Sequence, residues 1–193
     1  IRILLDDVFT SVKDDELGLL DQHKNIEVRL FNPVSRRGFY WLNYAADYKR
    51  ANRRMHSKSF TVDNATTIVG GRNIADEYFQ INSDVEFLDF DIFAIGPIVQ
   101  EVTEQFDDFW NAPQAIPLAN IYQTFSESEL REAQRDIDED MQNLERSIYS
   151  AAVDSEFMRA VADGSATGYA APAELLNDSS DKLSSPIVEQ YMT

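Results

Sequence analysis

Apolar and polar positions alternate through Ile26-Glu27-Val28-Arg29-Leu30-Phe31, the two-residue period of a strand, and the run stops at Asn32-Pro33. Residues 1–7, Ile-Arg-Ile-Leu-Leu-Asp-Asp, are nearly all apolar at first and read as a buried strand entering a loop. Asp14 to His23 reads as a short helix. Phe39 to Arg53 has helical spacing and is rich in aromatics. Met55 to Val62 reads as a strand, Asp63-Asn64 as a turn and Thr66 to Val69 as the hairpin partner. A Gly70-Gly71 loop follows, then a short helix around Ile74 to Phe79. Phe90 to Ile95 reads as a further strand closed by Gly96-Pro97, and the proline suits the first turn of a helix over Ile98 to Trp110. Strands alternating with helices in this way predict an α/β fold, a mixed β-sheet flanked by helices.

The pattern changes after Pro117. Ser126, with Glu129 three residues on, offers a reciprocal cap for a charged helix running to about Tyr149. Residues 163–185 collect Gly, Ser, Asp and Pro and read as loop or linker, and the tail from Asp154 to Thr193 is too polar to form a core of its own. Two regions result: a half-domain over residues 1–120, and a helical connecting segment over 121–193. No run approaches the roughly 18 consecutive apolar residues of a membrane-spanning helix. The chain opens inside a strand and without methionine, which suggests a piece of something longer.

Charge refines this picture. The net charge is −17, which repels nucleic acid over most of the surface, so no nucleic-acid partner is expected. The distribution is uneven. Arg36, Arg37, Lys49, Arg50, Arg53, Arg54 and Lys58 are opposed only by Asp47, while most of the acid lies between Glu101 and Glu156. The basic cluster reads either as a solvated face or as a mouth that attracts anions, since it leads into the most distinctive tract of the chain. There is no cysteine, so a disulfide framework, a thiolate metal site and a cysteine nucleophile are excluded.

That tract is His56-Ser57-Lys58, four residues, Asp63, six residues, then Gly70-Gly71-Arg72-Asn73. On a strand, His56 and Lys58 share a face. A neutral imidazole there can attack phosphorus. A neighbouring ammonium can neutralise the non-bridging oxygens as charge develops. Asn73 follows a Gly-Gly turn that lets backbone approach closely, and its amide can donate to the same oxygens. This chemistry needs no metal and no cofactor, because side chains supply the charge. Asp63 lies an odd number of residues from His56 and would face away from it. Its place at the turn fits a supporting role, as do Gly70 and Gly71.

Six fixed positions over this spacing resemble the signature of the phospholipase D superfamily, the HKD motif; Gly71 stands where many members carry Ser. Leu88-Asp89-Phe90-Asp91-Ile92-Phe93-Ala94-Ile95-Gly96-Pro97, with Phe106 to Trp110 after it, is similar to the family's Asp-bearing strand and following helix. In that family an acidic residue on this strand orients the nucleophilic histidine through its other ring nitrogen. Asp89 matches best, and Asp91 competes from the same face. Within the superfamily, Arg53 to Phe60, Val69 to Phe79 and Ala170 to Asp178 are similar to the shorter bacterial cardiolipin synthases. The resemblance implies a phospholipase D-like half, phospholipid substrates, a phosphohistidine intermediate and attachment to the bacterial membrane. It also implies a second HKD half, since these enzymes use two facing histidines. The other histidine here, His23, lacks the following lysine and reads as an ordinary surface residue. The second motif is expected beyond Thr193 or in another copy of the chain. A hydrolytic phospholipase, a homodimeric nuclease and an inactive scaffold half are the competing readings. The run Phe39-Tyr40-Trp41-Leu42-Asn43-Tyr44 reads as helix packing, with acyl-chain contact as the alternative.

Overall fold

The computed structural model describes residues 1–7, 12–33, 55–72, 89–122, 125–145 and 152–176. The expected helices over Phe39 to Arg53 and Ile74 to Phe79 lie outside these residues. So do Asn73, the basic cluster before Lys58, the last turn expected of the charged helix and the end of the linker.

Strands β1 (Arg2–Asp6) and β2 (Glu27–Phe31) pair in parallel, and β2 pairs antiparallel with β6 (Ala115–Pro117). Helix α1 (Asp14–Asp21) makes the crossover between β1 and β2. Strands β3 (Lys58–Val62), β4 (Thr66–Gly70) and β5 (Asp91–Ile95) form a separate antiparallel sheet in the order β3-β4-β5. Helices α2 (Ile98–Trp110), α3 (Glu127–Glu145) and α4 (Glu156–Asp163) complete the described elements, with one 3-10 turn over Leu118–Asn120. The fold is therefore mixed α/β, as the alternation of patterns implied, with its strands shared between two small sheets.

The alternation in β2 builds the first core. Val28 and Leu30 face one way and pack with Leu17 of α1, Leu118, Ile3 and Leu5. Phe31 faces the other way and packs with Phe109, Ala112, Ala115, Leu4 and Met55. A parallel pair covered on both faces needs this apolar content in both registers. Phe31 and Phe109 meet at 5.4 Å between ring centroids, tilted by 59°. Arg29 shares the Phe31 face, yet it is partly buried. Its guanidinium lies 4.3 Å from the centre of the Trp110 ring and donates to the Trp110 carbonyl at 2.8 Å.

Helix α2 joins the two sheets. It enters through Gly96, whose φ of +88° only glycine adopts readily, and Pro97, already helical at φ −58°. Val99 and Val102 are buried, and the helix lies along β3, β4 and β5. Its far end carries Phe106 and Trp110, stacked at 5.7 Å, with the Arg2 guanidinium over both rings and paired with Asp107 at 2.7 Å.

The cap expected of α3 is present. The Ser126 amide donates to Glu129 Oε2 at 2.7 Å and the Glu129 amide donates to Ser126 Oγ at 3.3 Å. The Ser126 hydroxyl, then its backbone amide, hold the Glu129 carboxyl below its ordinary value. Helix α3 packs on α1, where Lys13 pairs with Asp136 at 2.5 Å. Helix α4 was not foreseen. It is capped by Ser155 Oγ and ended by a left-handed Gly164, but it has no buried residue, in keeping with a polar tail.

The Phe31–Phe109 contact should dominate this core. Phe31→Ala is expected to cost about 3–5 kcal/mol in denaturant-induced unfolding. Ile95→Ala, on an exposed position of the second sheet, should shift the same measurement by about 0.5 kcal/mol or less.

Candidate active site

The sequence sets His56 and Lys58 on one strand, but the ladder begins only at Lys58. The reason is local. The Met55 amide donates to Asp6 Oδ2 at 3.0 Å, at the end of β1, so it is taken by a side chain and not by a neighbouring strand. The Met55 side chain drops into the Phe31–Phe109 core. Ser57 Oγ accepts from Gln105 Nε2 of α2 at 3.4 Å. His56 thus sits exposed on a short segment tied to both β1 and α2. Lys58 is half-buried, and its ammonium donates to the His56 carbonyl at 2.8 Å, which draws the Lys58 side chain back toward His56.

Register defines what lies beside them. Lys58 pairs with Gly70, and Gly70 pairs with Asp91. Directly opposed residues point to the same face, so Lys58 and Asp91 flank a glycine at strand spacings of about 5 Å each. The ladder ends at this row; beyond it the Gly71 amide donates to the Phe90 carbonyl at 3.4 Å. The same face runs on as Phe60, Ile68 and Phe93, then Val62, Thr66 and Ile95, and its five apolar residues are all exposed.

The Gly-Gly pair has a steric cause. A Cβ on Gly70 would collide with Asp91 Oδ1, and would also lie 2.6 Å from the Phe90 carbonyl oxygen and 2.8 Å from Asp91 Cα. A Cβ on Gly71 would collide with Asp89 Oδ1 and meet Oδ2 at 2.6 Å. Gly70 therefore makes room for the carboxylate of Asp91, and Gly71 for that of Asp89 just before β5.

Asp63 and Asn64 both take φ near +50°, at 52° and 53°, and the Ala65 amide donates to the Val62 carbonyl at 3.0 Å. Asp and Asn tolerate this left-handed backbone, which closes the hairpin. The turn lies at the opposite end of β3 from His56, roughly 20 Å away along an extended chain. The Asp63 carboxylate is exposed and takes no hydrogen bond among the described residues.

No hydrogen bond joins Asp89 to His56 among the described residues. Asp89 Oδ1 accepts from the Phe90 amide at 2.7 Å. Asp91 is occupied: Arg72 Nε donates to its Oδ2 at 2.6 Å, in a half-buried pair. His23, ahead of β2, accepts from the Asn25 amide through Nδ1 at 3.3 Å, a local turn contact remote from the motif in sequence. Sequence reasoning passed over Arg72 although it stands inside the motif, between Gly71 and Asn73. It also missed Asp6 and Gln105, for which only their distance in sequence from the motif gave any signal.

Comparison with known proteins gives the family. The family described as cardiolipin synthase, PLD-like domain, matches residues 1–110, which contain every residue just placed. The chain belongs to that family. It is 50% identical over 121 residues to cardiolipin synthase C of Escherichia coli strain K12, a stretch covering 63% of this chain and 26% of that protein. Uncharacterized proteins of two Helicobacter pylori strains are each 41% identical over 121 residues, covering 62% of this chain and 24% of theirs. The match thus takes in about a quarter of the length of these relatives. No solved structure matches.

The two glycines should differ in tolerance. Gly70→Ala drives a methyl into backbone atoms of β5 and is expected to cost about 1–3 kcal/mol, with faster amide exchange across β4–β5. Gly71→Ala meets only the Asp89 side chain, which can rotate, so its thermal unfolding should shift by less than half as much.

Proposed function

We propose that this chain is the first catalytic half of a bacterial phosphatidyltransferase that makes cardiolipin. The observation that carries this is the row Lys58–Gly70–Asp91 beside His56, inside a domain matched as cardiolipin synthase. The half-identity with cardiolipin synthase C supports the particular reaction.

In this reading the neutral His56 imidazole attacks the phosphorus of a phospholipid. A nitrogen–phosphorus bond forms as the bond to the leaving alcohol oxygen breaks. Lys58 and the Asn73 amide neutralise the non-bridging oxygens, where charge accumulates. Asp89 accepts the N–H on the far side of the ring, fixing the tautomer and stabilising the imidazolium. A second histidine, from another HKD half in the same full-length protein or from a partner copy, protonates the departing oxygen. It then removes the proton from the acceptor hydroxyl of a second lipid. That oxygen attacks phosphorus and the nitrogen–phosphorus bond breaks, returning His56. Asp63, Gly70 and Gly71 support the site through backbone shape.

The substrates place the enzyme at a membrane surface. Among the described residues no helix is long and apolar enough to cross a membrane.

The full-length protein, given vesicles of mixed phospholipids, is expected to form cardiolipin. His56→Ala should lower the rate by at least about a thousandfold with unchanged thermal stability, since removing a nucleophile removes the covalent route. Phosphatidic acid as the sole product would replace transfer with hydrolysis. Cleavage of DNA without lipid products would overturn the reading. The 193-residue piece alone should show no substantial turnover.

A further inference from the structure

Met55, Ser57 and Lys58 are each anchored to another element, and His56 stands between them. Lys58 opens the second sheet opposite Gly70. Ser57 Oγ accepts from Gln105 Nε2 of α2 at 3.4 Å. Met55 is held twice, and both holds come from one row of the first sheet. Asp6, Phe31 and Ala115 are register partners across β1, β2 and β6, so their side chains share a face. The Met55 side chain packs against the cluster of Phe31 and Ala115, and the Met55 amide donates to Asp6 Oδ2 at 3.0 Å. The row is thus a seat with an apolar floor and a carboxylate at its edge.

We infer that Asp6 is a positioning residue for the reaction: its carboxylate fixes the backbone one residue ahead of His56 and so sets where the imidazole is delivered. The inference rests on the functional reading above, in which His56 is the nucleophile. It names a residue outside the motif and outside the neighbourhood of Asp89 and Asp91.

The geometry suits the role. The Asp6 backbone belongs to the parallel β1–β2 ladder, beside the fully buried Phe31, so the acceptor is carried on the packed core. A carboxylate accepts from an amide more strongly than a neutral oxygen does, and this bond is partly buried, where water competes less. Its 3.0 Å is shorter than the 3.4 Å of the Gln105 bond, which makes Asp6 the firmer of the two side-chain anchors. A neighbouring strand could also hold Met55, but it would carry the ladder on through His56. A side-chain acceptor holds one amide and stops there, which leaves the His56 side chain exposed. One step of extended chain, about 3.3 Å, separates Met55 from His56, so a shift at the amide is passed on to the imidazole.

The test uses the full-length protein and a chromogenic phosphodiester, bis(4-nitrophenyl) phosphate, which reports on the His56 step whatever the lipid donor. Asp6→Ala is expected to lower kcat about 10- to 100-fold with KM unchanged, the scale on which a displaced reacting group loses rate. Asp6→Asn keeps an acceptor oxygen in the same place and should recover most of that loss. Amide exchange at Met55 should be slow in the wild type and fast in Asp6→Ala, while the β1–β2 amides keep their protection. Val28→Ala, on the opposite face of β2, controls for general loosening: it should lower the unfolding midpoint yet leave kcat within about twofold below the transition. Unchanged kcat in Asp6→Ala would overturn the inference. So would an Asn variant as slow as the Ala variant, a loss confined to KM, or an equal loss in Val28→Ala. If Asp6→Ala does not fold, the wild-type Met55 amide decides: slow exchange, quickened in Asp6→Asn as kcat falls, supports the role, and exchange at the rate of an unprotected amide overturns it. A wild-type protein with no turnover sensitive to His56→Ala would overturn the functional reading and this inference together, whereas wild-type turnover indifferent to Asp6 would overturn this inference alone.

Discussion

Helix α2 makes successive contacts with the hairpin tip, the site segment and the parallel core. Thr103 approaches Asn64 at 3.5 Å, Gln105 reaches Ser57, and Phe109 packs on Phe31. Among the described residues the two sheets share no strand, and they are linked by this helix and by Met55, which is tied to Asp6 while its side chain enters the Phe31–Phe109 cluster. The segment bearing His56 runs between these anchors. Its position follows from packing on three elements, and the exposed imidazole itself adds little to that packing.

The second constraint is the close approach of β5 to the end of β4. Two carboxylates fit there only because two successive residues lack side chains. This couples electrostatics to backbone sterics. The Asp91 carboxylate approaches the Lys58 row through the space Gly70 leaves, and Arg72 donates to it. The motif is thus a strand pair with a gap in its side-chain surface, flanked by a cation on β3 and carboxylates on and before β5.

Much of this was legible in the sequence. The alternation from Ile26 to Phe31, the Asp63-Asn64 turn, the Gly96-Pro97 entry to α2 and the Ser126–Glu129 cap are each set by residues close in sequence, where period and turn chemistry act directly. Strand β6 was missed because three residues, Ala115–Pro117, are too few to show a period and pair only with distant β2. Helix α4 was hidden in a tract whose composition reads as linker. The beginning of β3 was placed three residues early because nothing local reveals that the Met55 amide is claimed by Asp6, forty-nine residues away. In the candidate site, residue types and spacing singled out His56, Lys58 and the glycines. The Arg72–Asp91 pair was not legible, because it depends on where the Arg72 side chain goes.

The hairpin turns motif spacing into arithmetic. Lys58 meets Gly70 because five paired positions and a three-residue turn separate them in register. Inserting one residue in either arm would turn every later side chain to the opposite face. The glycine gap would leave the Lys58 row, and bulky side chains would enter the space where the Asp91 carboxylate now lies. Substitutions within Ser59 to Val69 can accumulate over evolutionary time as long as the strand is kept, whereas single insertions or deletions there are purged. A pattern that resembles a list of required residues is, over most of its length, a ruler.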